Sequence, residues 1–399
     1  MTIPVRTVIE LNQDTFNQNV DQLASIKNFE QIALVIKSNA YGHGVKELSK
    51  FAQENEKINW LCTAGLAEAI ELRNLGVTKS ILVMSYFDSP LEIAAQLSID
   101  CAVSSLDQAY LLNDAAVNTG KIISVHLKID TGMGRIGILP GEALSLAQEI
   151  TKLPGLKLVG AFTHLSHSAQ PDSIFNYRQL DSFDKVLDDL EQNSIKILYS
   201  HAISSSGLHL KLKRKYTILR AGAACYGLIK SPTHYKAIRQ RYPDFSINPI
   251  LSWKTFITSI KTVPANWLIS YDGQYRTKKP TKLAILPVGY WDGYPKELSN
   301  KGQVLIQKGH QLLLAHVRGT VSMNLTIIDV THIPDVKQGD TVLLLGSHNI
   351  IRPDISAQKA GLITNELMTS LNLILVRKII NNTKTIEPQK TNLNAEASI

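Results

Sequence analysis

Two apolar patterns alternate along the chain from about residue 30 to residue 230. Short runs in which nearly every position is apolar recur: IALVIK ending at Lys37, WLCTAG at Gly65, SILVMS at Ser85 and IDCAVSS at Ser105. SVHLKIDTG follows, ending at Gly132, then LVGAFTHLS at Ser166, IKILYSHA at Ala202 and TILRAGAACYG at Gly227. Continuous apolar runs of this kind suit strands buried on both faces. Between them lie segments with helical spacing, among them VKELSKFAQE, LAEAIELRNLG, LDQAYLLNDAAVN and SFDKVLDDLEQN. Eight such pairs over roughly 200 residues predict an α/β fold, a (β/α)8 TIM-type barrel. The weakest crossover is SSSGLHLKLKRK, which predicts only a short turn of helix.

Beyond about residue 245 the pattern changes. ILSWKTFITSIKTV alternates with period two, and KLAILPVGY, QVLIQKG, QLLLAHVRGTVSM, NLTIIDVT and DTVLLLGS follow between Gly, Pro and Asp turns. This predicts a mostly antiparallel β domain, with one long helix at DISAQKAGLITNELMTSLN. The expected division is a barrel over residues 1–240, a β-rich domain over 241–380 and a disordered polar tail over 381–399. The opening strand TVIELN precedes the first helical segment, so it is expected to pair into the β domain.

Composition narrows the class. Hydrophobic residues make up 44% and charged residues 19%, enough apolar material for sizeable cores. No apolar stretch has signal-peptide or membrane-span character, which predicts a cytoplasmic protein without membrane association. The three cysteines are widely spaced and odd in number, which fits reduced thiols. His164 and His167 form an H-x-x-H pair, but no third ligand accompanies them, so no metal is expected. The net charge is +8, with basic clusters at Lys211–Lys215 and Arg276–Lys282. Without a nucleic-acid motif these read as solvated loops, and the positive field suits an anionic small molecule.

Barrel chemistry sits at the carboxyl ends of the strands. There the sequence puts Lys37, Asp130 and Arg135, His164, His201 and Ser205, with Arg220 inside the eighth run and Gly222 just after it. A lysine at the mouth of a buried strand is either a rim residue reaching solvent or an amine whose proton affinity is lowered for attack on an aldehyde.

The motifs decide between these. The chain resembles the alanine racemases of the fold-type III pyridoxal-phosphate enzymes over nearly its whole length. The matching segments are VIKSNAYGHG around Lys37, LKIDTGMGRIG (127–137), ISYDGQY (269–275), PVGYWDGYP (287–295) and RGTVSMN (318–324), in the family's order. The resemblance implies that Lys37 carries pyridoxal 5'-phosphate as a Schiff base. It implies that Tyr41, Ser205 and the N–H groups of Gly222 and Ala223 hold the phosphate. Arg220 would face the pyridine nitrogen, backed by His164 and His201; a permanent cation there would suppress transamination. Tyr271 would be the second catalytic base, opposite Lys37, with His167 as its relay. Arg135 and the N–H of Met323 would bind the substrate carboxylate, and Lys128 matches a position that is carbamylated in some members. In the family the tyrosine reaches the partner's barrel, which implies a homodimer with shared sites. The implied reaction is interconversion of L- and D-alanine, for peptidoglycan synthesis or alanine catabolism.

Three departures stand out. The family's S-M-D reads Ser322-Met323-Asn324, and S-Y-G-x-T-Y reads S-Y-D-G-Q-Y. In TNELMTSLN, Asn365 precedes the glutamate where the family usually has a tyrosine that helps bind phosphate and crowds the substrate. Tyr290 is the candidate to fill that gap. The alternatives are a broader racemase acting on serine and a non-catalytic pyridoxal-phosphate carrier; the carrier class has barrel length only, so the β domain argues against it.

Overall fold

A computed structural model describes residues 7–381. Residues 382–399, nearly all of the expected tail, lie outside the described residues. In chain order the strands are β1 (Val8–Asn12), β2 (Gln31–Val35), β3 (Ile58–Gly65), β4 (Ser80–Tyr86), β5 (Asp100–Val103), β6 (Ile123–Lys128), β7 (Leu156–Phe162), β8 (Tyr199–His201) and β9 (Ile218–Ala221). There follow β10 (Leu251–Phe256), β11 (Ser259–Val263), β12 (Leu268–Ile269), β13 (Tyr275–Arg276), β14 (Thr281–Leu286), β15 (Gln303–Lys308), β16 (Gln311–Val317), β17 (Thr326–Asp329), β18 (Thr341–Leu345) and β19 (Arg377–Ile380).

Strands β2 to β9 form one parallel eight-stranded sheet in the order β8-β7-β6-β5-β4-β3-β2-β9. The last strand thus lies beside the first, and a parallel bridge between Ser204 and Arg220 links the β8 and β9 edges. The result is the nearly closed barrel that the βα rhythm predicts. Its helices bury the apolar stripe written in the sequence. In Val45–Glu54, for example, Leu48, Phe51 and Ala52 are buried, at i, i+3 and i+4. Helix Leu106–Thr119 begins where Ser105 accepts the N–H of Gln108 and ends at Gly120 in the left-handed conformation. Between β8 and β9 there is only the short turn Ser205–Gly207, as the weak periodicity there implies. Strands β2 and β5 to β9 stop earlier than their apolar runs, which continue into loops at the barrel mouth; β3 and β4 do not.

The second sheet has nine strands in the order β11-β14-β17-β16-β15-β18-β10-β1-β19. It is antiparallel except for the parallel pair β1–β19. The amino-terminal strand therefore joins this sheet, pairing Ile9 with Trp253. Strand β10 alternates buried and half-buried positions along LSWKTF, as its period-two pattern requires.

The chain divides into two compact units. One is Thr15–Asn248 with Ile363–Leu373, which contains the barrel; the other, among the described residues, holds 7–14, Pro249–Leu362 and 374–381. The single long helix expected after residue 353 is instead two, Pro353–Ala360 and Thr364–Thr369, separated at Gly361 with φ 73°. Continuous apolar spacing concealed the break; a glycine free to turn left-handed made it. The second of these short helices belongs to the barrel unit.

Candidate active site

The mouth of the barrel opens into a cavity of about 760 Å³ lined by residues of the barrel unit. Lys37, Tyr41, Arg135, His164, Ser205, Arg220, Gly222 and Ala223 all border it. Residues separated by up to 186 positions in the chain thus meet at one place.

Lys37 is not on a strand. After β2 the backbone enters a left-handed turn in which Ser38, Asn39, Ala40 and Tyr41 have φ between 51° and 55°. Each such non-glycine residue costs on the order of 1 kcal/mol or more, so the turn is held by its surroundings. Glu68 accepts the N–H of Ser38 at 2.6 Å and that of Ala64 at 2.8 Å. Asn39 Oδ1 accepts the first N–H of the following helix, that of Val45, at 2.7 Å. At Gly42 a Cβ would lie 1.9 Å from the carbonyl oxygen of Met368, so only glycine lets the turn close on helix Thr364–Thr369. Burial, then the charge of Arg135, lowers the proton affinity of Lys37, with Glu68 acting in the opposite direction. The shift favours the neutral amine, the form that a nucleophile or base needs.

The cavity wall after β9 has the form of a cradle. Gly222 follows β9, and a Cβ there would come 2.8 Å from the Tyr41 hydroxyl and 3.2 Å from Val35 Cβ. Ser205 Oγ accepts the N–H groups of Gly222 and Ala224, at 3.1 and 3.2 Å. The serine thus shapes the loop as well as facing the cavity. Burial, with the Cys62 and Cys225 thiols adding to it, pushes Tyr41 up to about 12, so its hydroxyl keeps a proton to donate. The cavity lining contains Lys37, Lys128, Arg135, Arg220 and Lys230 but only one carboxylate, Glu366. A dianion bounded by hydroxyls, backbone and cations fits this lining.

Arg220 is buried and fully engaged. It donates through Nη1 to the His201 carbonyl and to His201 Nδ1, both at 2.8 Å, and through Nη2 to the Thr163 carbonyl at 2.7 Å. Its Nη2 lies 3.4 Å from His164 Nδ1, and its plane lies over the Phe162 ring at 5.4 Å. Burial lowers its proton affinity only to about 10, so it stays a cation. Burial, then the charges of Arg220 and Arg135, brings His164 down to about 3, and His201 also falls well below the ordinary value. Both imidazoles are therefore neutral beside the guanidinium.

Because a guanidinium only donates, His201 Nδ1 must accept, and its Nε2 carries the proton. That Nε2 lies 3.0 Å from His126 Nδ1. His126 Nε2 in turn lies 3.4 Å from Asp100 Oδ2, outside hydrogen-bond geometry but close enough for charge to act. Room for His126 comes from Gly160, whose Cβ would sit 2.2 Å from its Nδ1. His126, Asp100 and Glu68 escape sequence reasoning; the only signals are a histidine inside an apolar strand and an acid at a strand start.

Arg135 is exposed at the end of a loop folded around Asp130, whose carboxylate accepts the N–H groups of Gly132, Met133 and Arg135 at 2.6–2.9 Å. Lys128 donates to the Met84 carbonyl at 2.7 Å, and burial, with Arg135 and Arg220, lowers it to about 8. His167, expected to act as a relay, does not border the cavity. Its Nδ1 is 2.8 Å from Ser166 Oγ and its ring meets the edge of Phe175. Of the two histidines in the H-x-x-H pair, His164 is the one beside Arg220. Asn365, Glu366 and Thr369 border the cavity from helix Thr364–Thr369.

Tyr271, Tyr290 and Met323 belong to the other unit, where three motifs converge. Ser270 Oγ donates to the Thr320 carbonyl at 2.7 Å, and Thr320 Oγ1 to the Tyr271 carbonyl at 3.2 Å. Tyr290 N donates to the Ser322 carbonyl and Trp291 N to that of Met323, both at 3.0 Å. The shifted glycine leaves Asp272 with φ 60°, which aspartate tolerates better than most residues. Tyr271 itself is 69% exposed.

A lysine with lowered proton affinity and a cation-rich lining, in one cavity at the carboxyl ends of barrel strands, fit the class of enzymes that carry a phosphorylated aldehyde cofactor. The family models for the alanine racemase N-terminal and C-terminal domains match residues 11–230 and 250–379. The chain belongs to the alanine racemase family, whose enzymes are isomerases that use pyridoxal 5'-phosphate. It is 37% identical to an alanine racemase of Clostridium perfringens over 93% of this chain and 95% of that one. It is 36% identical to that of Halothermothrix orenii, over 96% and 98%. The crystal structure of alanine racemase from D-cycloserine-producing Streptomyces lavendulae superposes with a TM-score of 0.86 at 27% identity, over 96% of this chain and 98% of that one.

Proposed function

We propose that this protein interconverts L- and D-alanine by a two-base mechanism, with Lys37 serving one face of the substrate and Tyr271 the other. The observation that carries the reading is the Lys37 amine, depressed by burial and Arg135 within a cavity rich in cations. Bound pyridoxal phosphate supplies a conjugated, electron-withdrawing ring that acidifies the α-proton. Lys37 Nζ takes or returns that proton on its own face, and the Tyr271 hydroxyl does so on the opposite face. Arg135 and the Met323 N–H bind the carboxylate, which fixes the α-carbon between the bases. Tyr41, Ser205, Gly222 and Ala223 hold the phosphate. Arg220 keeps its own protons and presents a fixed cation to the pyridine nitrogen. Neutral His164 and His201 hold Arg220 by accepting from it.

The proposed assembly is a homodimer with shared sites. Tyr271, Tyr290, Trp291, Met323 and Leu325 are exposed on loops tied to one another, an apolar surface of the kind that associates. Among the described residues no helix is long and apolar enough to cross a membrane; a cytoplasmic enzyme supplying D-alanine for peptidoglycan, or consuming it, is the proposed setting. A second reading is a broader racemase that also accepts serine. Asn365 favours it, since the cavity there is bordered by an amide and not by a phenol. Circular dichroism of L-alanine solutions, with and without added pyridoxal phosphate, tests the assignment. Loss of optical rotation that depends on cofactor is expected, and none with cofactor saturating would overturn it.

A further inference from the structure

Four consecutive non-glycine residues in the left-handed conformation, Ser38–Tyr41, present the two groups on which cofactor binding rests. Backbone bonds inside the turn satisfy part of it, from Gly42 N–H to the Ser38 carbonyl at 3.1 Å and from Gly44 N–H to that of Asn39 at 3.0 Å, and a strained turn of this kind needs further support from its surroundings. Besides Glu68 and Asn39, fully buried His43 supplies it, on the carbonyls at the end of the turn. Its Nδ1 lies 3.0 Å from the Ala40 carbonyl oxygen and 3.0 Å from that of Tyr41. Both partners are acceptors, so Nδ1 carries the proton and its N–H is shared between them. The His43 backbone N–H also donates to Ala40 O, at 3.1 Å.

The ring is itself held. It stacks on Tyr226 with centroids 4.7 Å apart and planes 19° apart. Tyr226 donates its hydroxyl to the carbonyl of Val35, the last residue of β2, at 2.8 Å. Tyr41 packs against Tyr226 as well, with ring centroids 5.3 Å apart. One aromatic pair therefore grips the turn at both ends: Tyr226 on the strand that leads into Lys37, His43 on the carbonyl of Tyr41.

We infer that His43 is a positioning residue, whose shared Nδ1–H holds the left-handed turn so that Lys37 and Tyr41 face the cofactor together. The inference rests on the reading of those two residues as cofactor ligands. It separates His43 from an ordinary packed core histidine, for which ring shape alone would matter.

The test compares His43→Asn, His43→Asp and His43→Phe in the full-length holoenzyme. An asparagine amide can take the place of Nδ1 and donate; an aspartate of the same shape can only accept; phenylalanine keeps the stacking and loses the donor. The readouts are the rate of pyridoxal phosphate loss on dilution and the thermal midpoint before and after cofactor removal. Loss should be about tenfold faster or more in the Phe and Asp variants, which lack two shared bonds, and within a few-fold of the parent in Asn. Failure of Phe and Asp to fold, with Asn folding near the parent midpoint, would support the same role. Phe retaining cofactor like the parent, or Asn behaving as badly as Asp, would overturn it. A parent protein that holds no cofactor would instead defeat the functional reading, and the midpoints of the Asn and Asp variants would still report on the donor.

Discussion

At the scale of single residues, the proposed mechanism rests on the Lys37 amine and on the lasting positive charge of Arg220. Lys37→Ala should abolish the visible absorbance of lysine-bound cofactor and essentially all racemisation; retention of borohydride-fixed cofactor in the variant would mean that another lysine is used. Arg220→Glu exchanges a donor for an acceptor facing the carbonyls of Thr163, His201 and Ala202. A carboxylate favours protonation of a neighbouring base where a guanidinium disfavours it. Transamination should therefore rise relative to racemisation, with a lowered thermal midpoint; an unchanged product ratio would detach Arg220 from the cofactor ring. Asn365→Tyr should tighten cofactor binding by roughly tenfold, one hydrogen bond to a charged group. It should also lower the serine-to-alanine ratio of kcat/KM. His164 gives a pH signature. Its folded value is about 3 against an ordinary 6.5. The unfolded chain thus takes up a proton there first, and stability is lost as pH falls from about 6.5 towards 3. His164→Asn should flatten that part of a midpoint-against-pH curve.

At the scale of elements, strand β7 has a glycine because strand β6 has a histidine. Gly160 leaves the space that His126 occupies, and His126 gives His201 Nε2 its acceptor. Gly160→Ala should cost about 1–3 kcal/mol through overpacking. It should also slow racemisation, because His201 loses the partner that fixes its tautomer toward Arg220. Adding His126→Ala should restore stability without restoring rate. Denaturant unfolding and initial rates on the single and double variants would check this, and full recovery of rate would leave His126 a packing residue only. Helix Thr364–Thr369 works in the same way for the turn after β2: Gly42 permits its approach, and the helix brings Asn365 to the cavity.

At the scale of the whole molecule, the two proposed bases come from different compact units. If each site combines Lys37 of one chain with Tyr271 of another, inactive Lys37→Ala and inactive Tyr271→Phe proteins should complement one another. A mixed dimer then contains one site with both bases intact, so activity should appear in proportion to the heterodimer formed. Verified subunit exchange without recovered activity would assign both bases to one chain.

The sequence by itself determined the barrel, the β-rich sheet and the strand mouths at which chemistry collects. Those follow from period, run length and turn residues, which neighbouring positions encode locally. It also named Lys37, Tyr41, Ser205, Arg220 and Gly222, because VIKSNAYGHG and the other motifs keep their spacing. Tertiary structure alone decided what supports them. Glu68 reaches Ser38 from 30 positions away, His126 reaches His201 from 75 and Tyr226 reaches Val35 from 191. It also decided that the four residues after Lys37 turn left-handed. These are contacts between strands and loops remote in the chain. No local pattern encodes them, since their energies exist only once the barrel has brought the partners together.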